Sequence, residues 1–251
     1  AAGAMLALVA VPFLPQPRRA AVAVVDPDNC SGCQLCFVDC PYAAITMVPH
    51  PGHRAGHLLA RVDPDLCVGC GICAGACPSS TPFRGVERLV TGIDMPQLPV
   101  DDLRSQLRHD LQAATAAHPL VVFACDHGAA TAGVRAADVA IQGLLCAGQL
   151  PPSLIDYALR QGAAGVLVAG CPPGGCEFRL GERWTSERLA ASRRPQLRAL
   201  AEPWRLRQVG AGPGDEGRLE QALNQLRLDV QGLSDDQKIH ADERLHRTSR
   251  A

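Results

Sequence analysis

Aromatic residues make up only 4% of the 251 residues, with five Phe, two Trp and two Tyr. So few rings deny the chain the base-stacking platform of a single-strand binder. An excess of one charge is also missing. The 24 Lys and Arg stand against 25 Asp and Glu, a net charge of −1. No basic face follows, and nucleic acid is excluded as a partner. No Ser-His-Asp or paired-carboxylate arrangement can be read, so the chain is not expected to be the catalytic subunit of an enzyme. Gly210-Ala211-Gly212-Pro213-Gly214 lacks the G-x-G-x-x-G spacing, and Pro213 removes an N–H that would face a phosphate. Long apolar runs are scarce too. Ala1 to Leu14 is almost wholly apolar, but that length of helix spans about 21 Å against a hydrocarbon core of roughly 30 Å.

What the chain has is cysteine, twelve in all. Eight fall in two copies of C-x2-C-x2-C-x3-C-P: Cys30, Cys33, Cys36 and Cys40, then Cys67, Cys70, Cys73 and Cys77. Asp26-Pro27-Asp28 precedes the first copy and Asp63-Pro64-Asp65 the second, so the whole unit repeats. A zinc site uses two C-x2-C pairs and does not explain a third evenly spaced Cys or the repeated Cys-Pro. A disulfide framework belongs to short chains in oxidising compartments. The run resembles that of bacterial two-cluster ferredoxins, in which the fourth Cys of each run ligates the other cluster. The resemblance implies one [4Fe–4S] cluster on Cys30, Cys33, Cys36 and Cys77, and a second on Cys40, Cys67, Cys70 and Cys73. Gly69, Gly71 and Gly75 are expected to let backbone N–H groups approach cluster sulfurs.

The other four cysteines lie beyond residue 119, where the pattern turns to alternating strands and helices. Leu120–Ala124, Val139–Leu145, Val166–Ala169 and Trp204–Val209 read as strands. Val100–Ala117, Leu154–Gln161, Glu182–Leu200, interrupted by Pro195, and Gly217–Leu228 read as helices. The fold expected is an α+β ferredoxin-like domain followed by a small α/β domain with a parallel sheet. Cys125, Cys146 and Cys171 then follow three strand ends on one sheet edge, where such folds bind ligands. Cys176 joins them across Pro172-Pro173-Gly174-Gly175. Four thiolates suit a [2Fe–2S] cluster or a zinc ion, and buried core cysteines are the plain alternative.

From Phe123-Ala124-Cys125 through Cys146-Ala147-Gly148, Gly162 to Val168 and Gly170-Cys171-Pro172-Pro173-Gly174-Gly175-Cys176, the chain resembles the iron–sulfur delta subunit of methyl-viologen-reducing hydrogenases. That family passes electrons from a hydrogenase to a heterodisulfide-reductase-like partner. The resemblance implies a [2Fe–2S] cluster on Cys125, Cys146, Cys171 and Cys176. The chain departs from the family's usual pattern at Gly128, Gln149, Pro172 and Gly175, which alters the polar groups around the cluster without removing any of the four thiols.

The domains expected are residues 1–19 as the end of a membrane helix or anchor, 20–82 as the ferredoxin, 83–118 as linker and helix, 119–230 as the [2Fe–2S] domain, and 231–251 as a charged tail. Pro12-Phe13-Leu14-Pro15 resembles the close of the last membrane helix of cytochrome b proteins. Arg18 and Arg19 follow the apolar stretch, which sets the rest on the cytoplasmic face of the inner membrane. The expected function is an electron-transfer subunit or module of a membrane-associated oxidoreductase. It would relay electrons between a quinone and cytochrome b side, or another membrane subunit, and a soluble redox protein such as a hydrogenase, a heterodisulfide-reductase-like subunit or a ferredoxin. The alternative is a ferredoxin fused to a dithiol-active or zinc-stabilised docking domain. His127 and Arg135 are candidate neighbours of the third site. His50, His53 and His57 are read as belonging to a solvated loop.

Overall fold

The computed structural model describes residues 21–52, 56–198 and 202–232. The expected membrane segment at 1–19 and nearly all of the charged tail lie outside the described residues. Among the described residues no helix is long and apolar enough to cross a membrane.

The N-terminal half carries its repeat into three dimensions. Helix α1, Leu35–Asp39, and helix α2, Ile72–Ala76, each run five residues. Each begins after a left-handed residue, Gln34 at φ 67° and Gly71 at φ 78°, and ends on an extended cysteine, Cys40 or Cys77. Strands β2, Ile45–Pro49, and β3, Leu58–Val62, pair antiparallel. Strand β1, Val24–Val25, pairs antiparallel with β4, Ile93–Asp94. That pairing corrects the expected linker. Residues 83–118 include the strand that closes the ferredoxin half, and Ile93 is 1% exposed in its core.

Asp94 also starts the next helix. Its carboxylate accepts from the Val100 amide at 3.1 Å, a cap supplied from outside the helix. Helix α3, Val100–Ala113, buries Val100, Leu103, Arg104, Leu107 and Leu111, a stripe at helical spacing. It stops short of the expected Ala117, and extended backbone at Ala114 begins the approach to Pro119.

The C-terminal half is a four-stranded, all-parallel sheet in the order β6-β5-β7-β8. The strands are β5, Leu120–Cys125, β6, Val139–Leu144, β7, Gly165–Gly170, and β8, Leu206–Gly210. Both central strands are buried along their whole length, as a sheet covered on both faces requires. Alternation decides which face each residue serves. Val121, Phe123, Val166 and Val168 pack with α3 and with α4, Pro152–Arg160. Leu120, Val122, Leu167 and Ala169 pack with α6, Glu216–Gln231. Helix α5, Gly181–Leu189, is shorter than the Glu182–Leu200 helix expected. The chain turns at Ala191, φ 59°, and so returns the Arg193 side chain to Glu187 and Asp39.

Candidate functional site

All twelve cysteines are free thiols. They fall into three sets. Cys36 is pushed up to about 12 by burial, then by repulsion from Cys77, Cys33 and Cys30. Cys70 is pushed up to about 11, chiefly by burial, with Cys40 and Cys67 adding repulsion. Burial also raises Cys73, followed by Cys70, Cys36, Cys67 and Cys40. Cys77 thus neighbours Cys36 of the first run and Cys40 neighbours Cys70 of the second, while Cys36 and Cys73 of the two runs also face each other. So many thiols packed in a low-dielectric core cannot all ionise alone. Cationic iron at their centre would reverse this and hold each as thiolate. The donor set therefore fits the group.

The third set sits at the C-terminal edge of the parallel sheet. Cys125 ends β5, Cys171 follows β7, and Cys146 lies two residues past β6. The Cys125 and Cys171 sulfurs are 3.9 Å apart. A hydrogen bond from Cys146 lowers Cys125 to about 6 and Cys176 to about 5. Cys146 is in turn held protonated by these two neighbours. The amides of Glu182 and Gly181, at the start of α5, also lower Cys176, because a helix N-terminus favours a thiolate. The Gly148 amide donates to the Cys146 sulfur at 3.4 Å. Among the described residues no three His, Cys, Asp or Glu side chains converge closely enough to hold a single metal ion. In an iron–sulfur cluster the ligands are spread around a larger core of iron and sulfide, so they need not converge on one point.

The second and third sets meet through bare backbone. A Cβ at Gly75 in α2 would overlap the Gly148 carbonyl oxygen. A Cβ at Gly148 would come to 2.8 Å from Ile72 and 2.9 Å from Gly181. Ile72 is fully buried and shares one apolar cluster with Cys70 and Cys146. Gly75 thus serves close packing here rather than only a sulfur-facing amide. Gln149 is buried beside it. Its amide group accepts from Leu145 N and donates to Leu98 O.

An ion pair spans the same junction. Arg188 of α5 donates to Asp39, the residue before Cys40, at 2.5 Å, and to the Gly148 carbonyl at 2.9 Å. Arg193 donates to the other Asp39 oxygen at 2.6 Å and stacks on Trp184, whose indole N–H reaches the Asp39 carbonyl. Taking such a pair from water costs several kcal/mol per ion, which the bonds of the two terminal Arg188 nitrogens and of Arg193 offset, while the buried Arg188 Nε has no partner.

The remaining candidates sort readily. His127 is exposed and rests edge-on against Phe178. Arg135 is exposed beyond a 3-10 turn. The Gly52 amide donates to His50 Nδ1, so His50 Nε2–H donates to the Pro27 carbonyl, a buried structural link. His53 lies outside the described residues. The Gly212 and Gly214 amides already donate to Asp215 and Glu216.

The fold and these thiol sets define an iron–sulfur electron-transfer protein. Residues 16–81 match the family model for the 4Fe-4S dicluster domain, and residues 120–234 match that for the methyl-viologen-reducing hydrogenase, delta subunit. The chain thus carries a 4Fe-4S dicluster domain followed by a domain of the hydrogenase delta-subunit type. It is 36% identical over 74 residues to an iron-sulfur subunit of the F420-non-reducing hydrogenase vhc of Methanococcus voltae, a match covering 26% of this chain and 51% of that protein. The chain therefore spans about half the length of the curated relative it matches.

Sequence reading named Gly148 only within the resemblance and did not reach Ile72, Gly181, Asp39 or Arg188. Closeness to Cys70 and Cys40 was the available signal for Ile72 and Asp39. Arg188 carried none in a chain with 24 Lys and Arg.

Proposed function

We propose that the chain is an electron relay built on two [4Fe–4S] clusters and one [2Fe–2S] cluster. Cys30, Cys33, Cys36 and Cys77 hold the first, Cys40, Cys67, Cys70 and Cys73 the second, and Cys125, Cys146, Cys171 and Cys176 the third. Each cluster supplies a one-electron carrier. The observation that carries this reading is the continuity of the second and third thiol sets through buried Ile72. The protein holds the carriers at fixed spacing in a dry interior and sets their potentials by burial and N–H···S bonds.

One end of the relay faces other redox subunits of a hydrogenase- or heterodisulfide-reductase-type complex, consistent with the relative's name. Cys33 is the exposed ligand of the first set and suits the opposite end. Association with a cytochrome b-type or other membrane subunit, at the cytoplasmic face of the inner membrane, is supported by the apolar Ala1–Leu14 stretch followed by Arg18 and Arg19.

The test is metal and sulfide content of anaerobically purified protein, with EPR after dithionite reduction. The relay requires about ten irons per chain and a separate [2Fe–2S] signal, and Cys146→Ser must remove about two irons. About eight irons in the parent protein and no such signal would leave the ferredoxin half alone.

A second reading rests on Cys176, a half-buried thiol lowered to about 5, as a nucleophilic dithiol requires. It makes Cys171 and Cys176 a disulfide-reducing pair. Alkylation of Cys176 without loss of iron would support that reading against the relay.

A further inference from the structure

Arg188 is 1% exposed, and its guanidinium lies between backbone and side-chain groups that neighbour the second and third ligand sets. One nitrogen donates to the carbonyl of Gly148, two residues from Cys146. The same nitrogen lies 2.9 Å from where a Cβ of Gly75 would stand, in the turn between Cys73 and Cys77. The other nitrogen donates to Asp39, beside Cys40. Cys36 lies on the short helix that ends just before Cys40. The halves are also joined by apolar contacts of Ile72 and by the N–H that Trp184 donates to the Asp39 carbonyl. An Arg keeps its charge at any working pH. A fixed positive charge in a dry interior acts strongly on its surroundings. Arg193 completes the arrangement. It shares Asp39 with Arg188 and also pairs with Glu187, which pairs in turn with Arg183, so three guanidiniums stand against two carboxylates in this group and Arg188 is the most buried of them.

We propose that Arg188 is the positioning residue that tunes electron exchange between the centre on Cys40, Cys67, Cys70 and Cys73 and the centre on Cys125, Cys146, Cys171 and Cys176. This deepens the relay reading above and rests on it. When one electron crosses, one centre is oxidised as the other is reduced, with the electron first supplied by a reduced redox protein. Each electron that reaches the junction adds one negative charge beside the guanidinium. Arg188 stabilises that charge without gaining or losing a proton, so the reduced state is favoured at the junction. Asp39 opposes it and sets the balance.

The experiment is an EPR-monitored redox titration of the holoprotein and its Arg188→Gln, Arg188→Lys and Asp39→Asn variants, with iron content measured on each. Arg188→Gln is expected to keep its iron and to lower the reduction constant at the junction roughly tenfold, 59 mV for a one-electron couple. Arg188→Lys retains the charge and is expected to recover most of the shift. Asp39→Asn is expected to move the potential the other way, and serves alone if Arg188→Gln loses iron. The centre whose ligand Cys33 is exposed, farther along the chain of contacts, should move least. Unshifted junction potentials in an iron-replete Arg188→Gln, or shifts of the same sign in Asp39→Asn, would overturn the proposal. A parent protein with only eight irons would instead refute the three-cluster reading. Arg188 would then still be judged by the potential of the cluster beside Cys40.

Discussion

The backbone of Gly181 lies directly against the sulfur of Cys146, so close that a Cβ there would overlap it. The same Cβ would stand 3.4 Å from the Cys176 sulfur. The first residue of α5 thus forms one wall of the third thiol set, and the thiols have room only because that residue has no side chain.

Gly181→Ala is therefore expected to eject the third centre. Iron should fall by about two atoms per chain while the [4Fe–4S] signals persist. An alanine variant with full iron and an unchanged [2Fe–2S] signal would mean that the four thiols are not the ligands.

The crossed grouping proposed for the ferredoxin cysteines would make Cys77→Ser equivalent to Cys30→Ser, although the two lie in different runs. Both should lose the same cluster and leave the same residual EPR spectrum. Cys40→Ser should instead give the spectrum of Cys67→Ser. A pairing by run rather than across runs would reverse these matches.

Ile72 is fully buried between Cys70 and Cys146. Ile72→Ala removes three carbons from a packed junction, a change that costs about 2–5 kcal/mol in comparable cores. A denaturant melt of the holoprotein should show the loss. Electron exchange between the second and third centres should slow as the packing there loosens.

Asp156 offers a pH test away from the cysteines. Burial raises its carboxyl from 3.8 to about 7, against the pull of Arg160 and Arg198. Between those values the folded chain keeps a proton that the unfolded chain has released. Stability therefore falls as pH rises through this window, by up to about 1.4 kcal/mol per unit, and the full cost applies above pH 7. Asp156→Asn should be less sensitive to pH across the same window and more stable than the parent above it, in melts followed by circular dichroism.

The parallel sheet was legible because β5 and β7 are short, unbroken apolar runs, as strands buried on both faces must be. The sheet order then brings Cys125, Cys146 and Cys171 to one edge, as their positions after successive strands foretold. The closing strand Ile93–Asp94 was not legible. Two residues have no periodicity, and the prolines around them read as a linker. Pro195 marked a break in this helix, but the helix ends earlier, at Leu189, and beyond Ala191 the Arg193 side chain reaches back to Asp39. That pairing joins residues 154 apart, and no local pattern announces it. The glycines were visible, but only contact shows that Gly75 and Gly148 exist to let two backbones touch.

The dryness of that junction bears on speed as well as stability. Ile72 and Ala74 are fully buried, and Cys146 is 1% exposed. Groups held in fixed positions need no reorientation when charge moves past them, whereas water must turn each time. In the proposed relay an electron passing beside Ile72 would therefore meet surroundings that need little reorientation, and solvent rearrangement would weigh chiefly at exposed ligands such as Cys33.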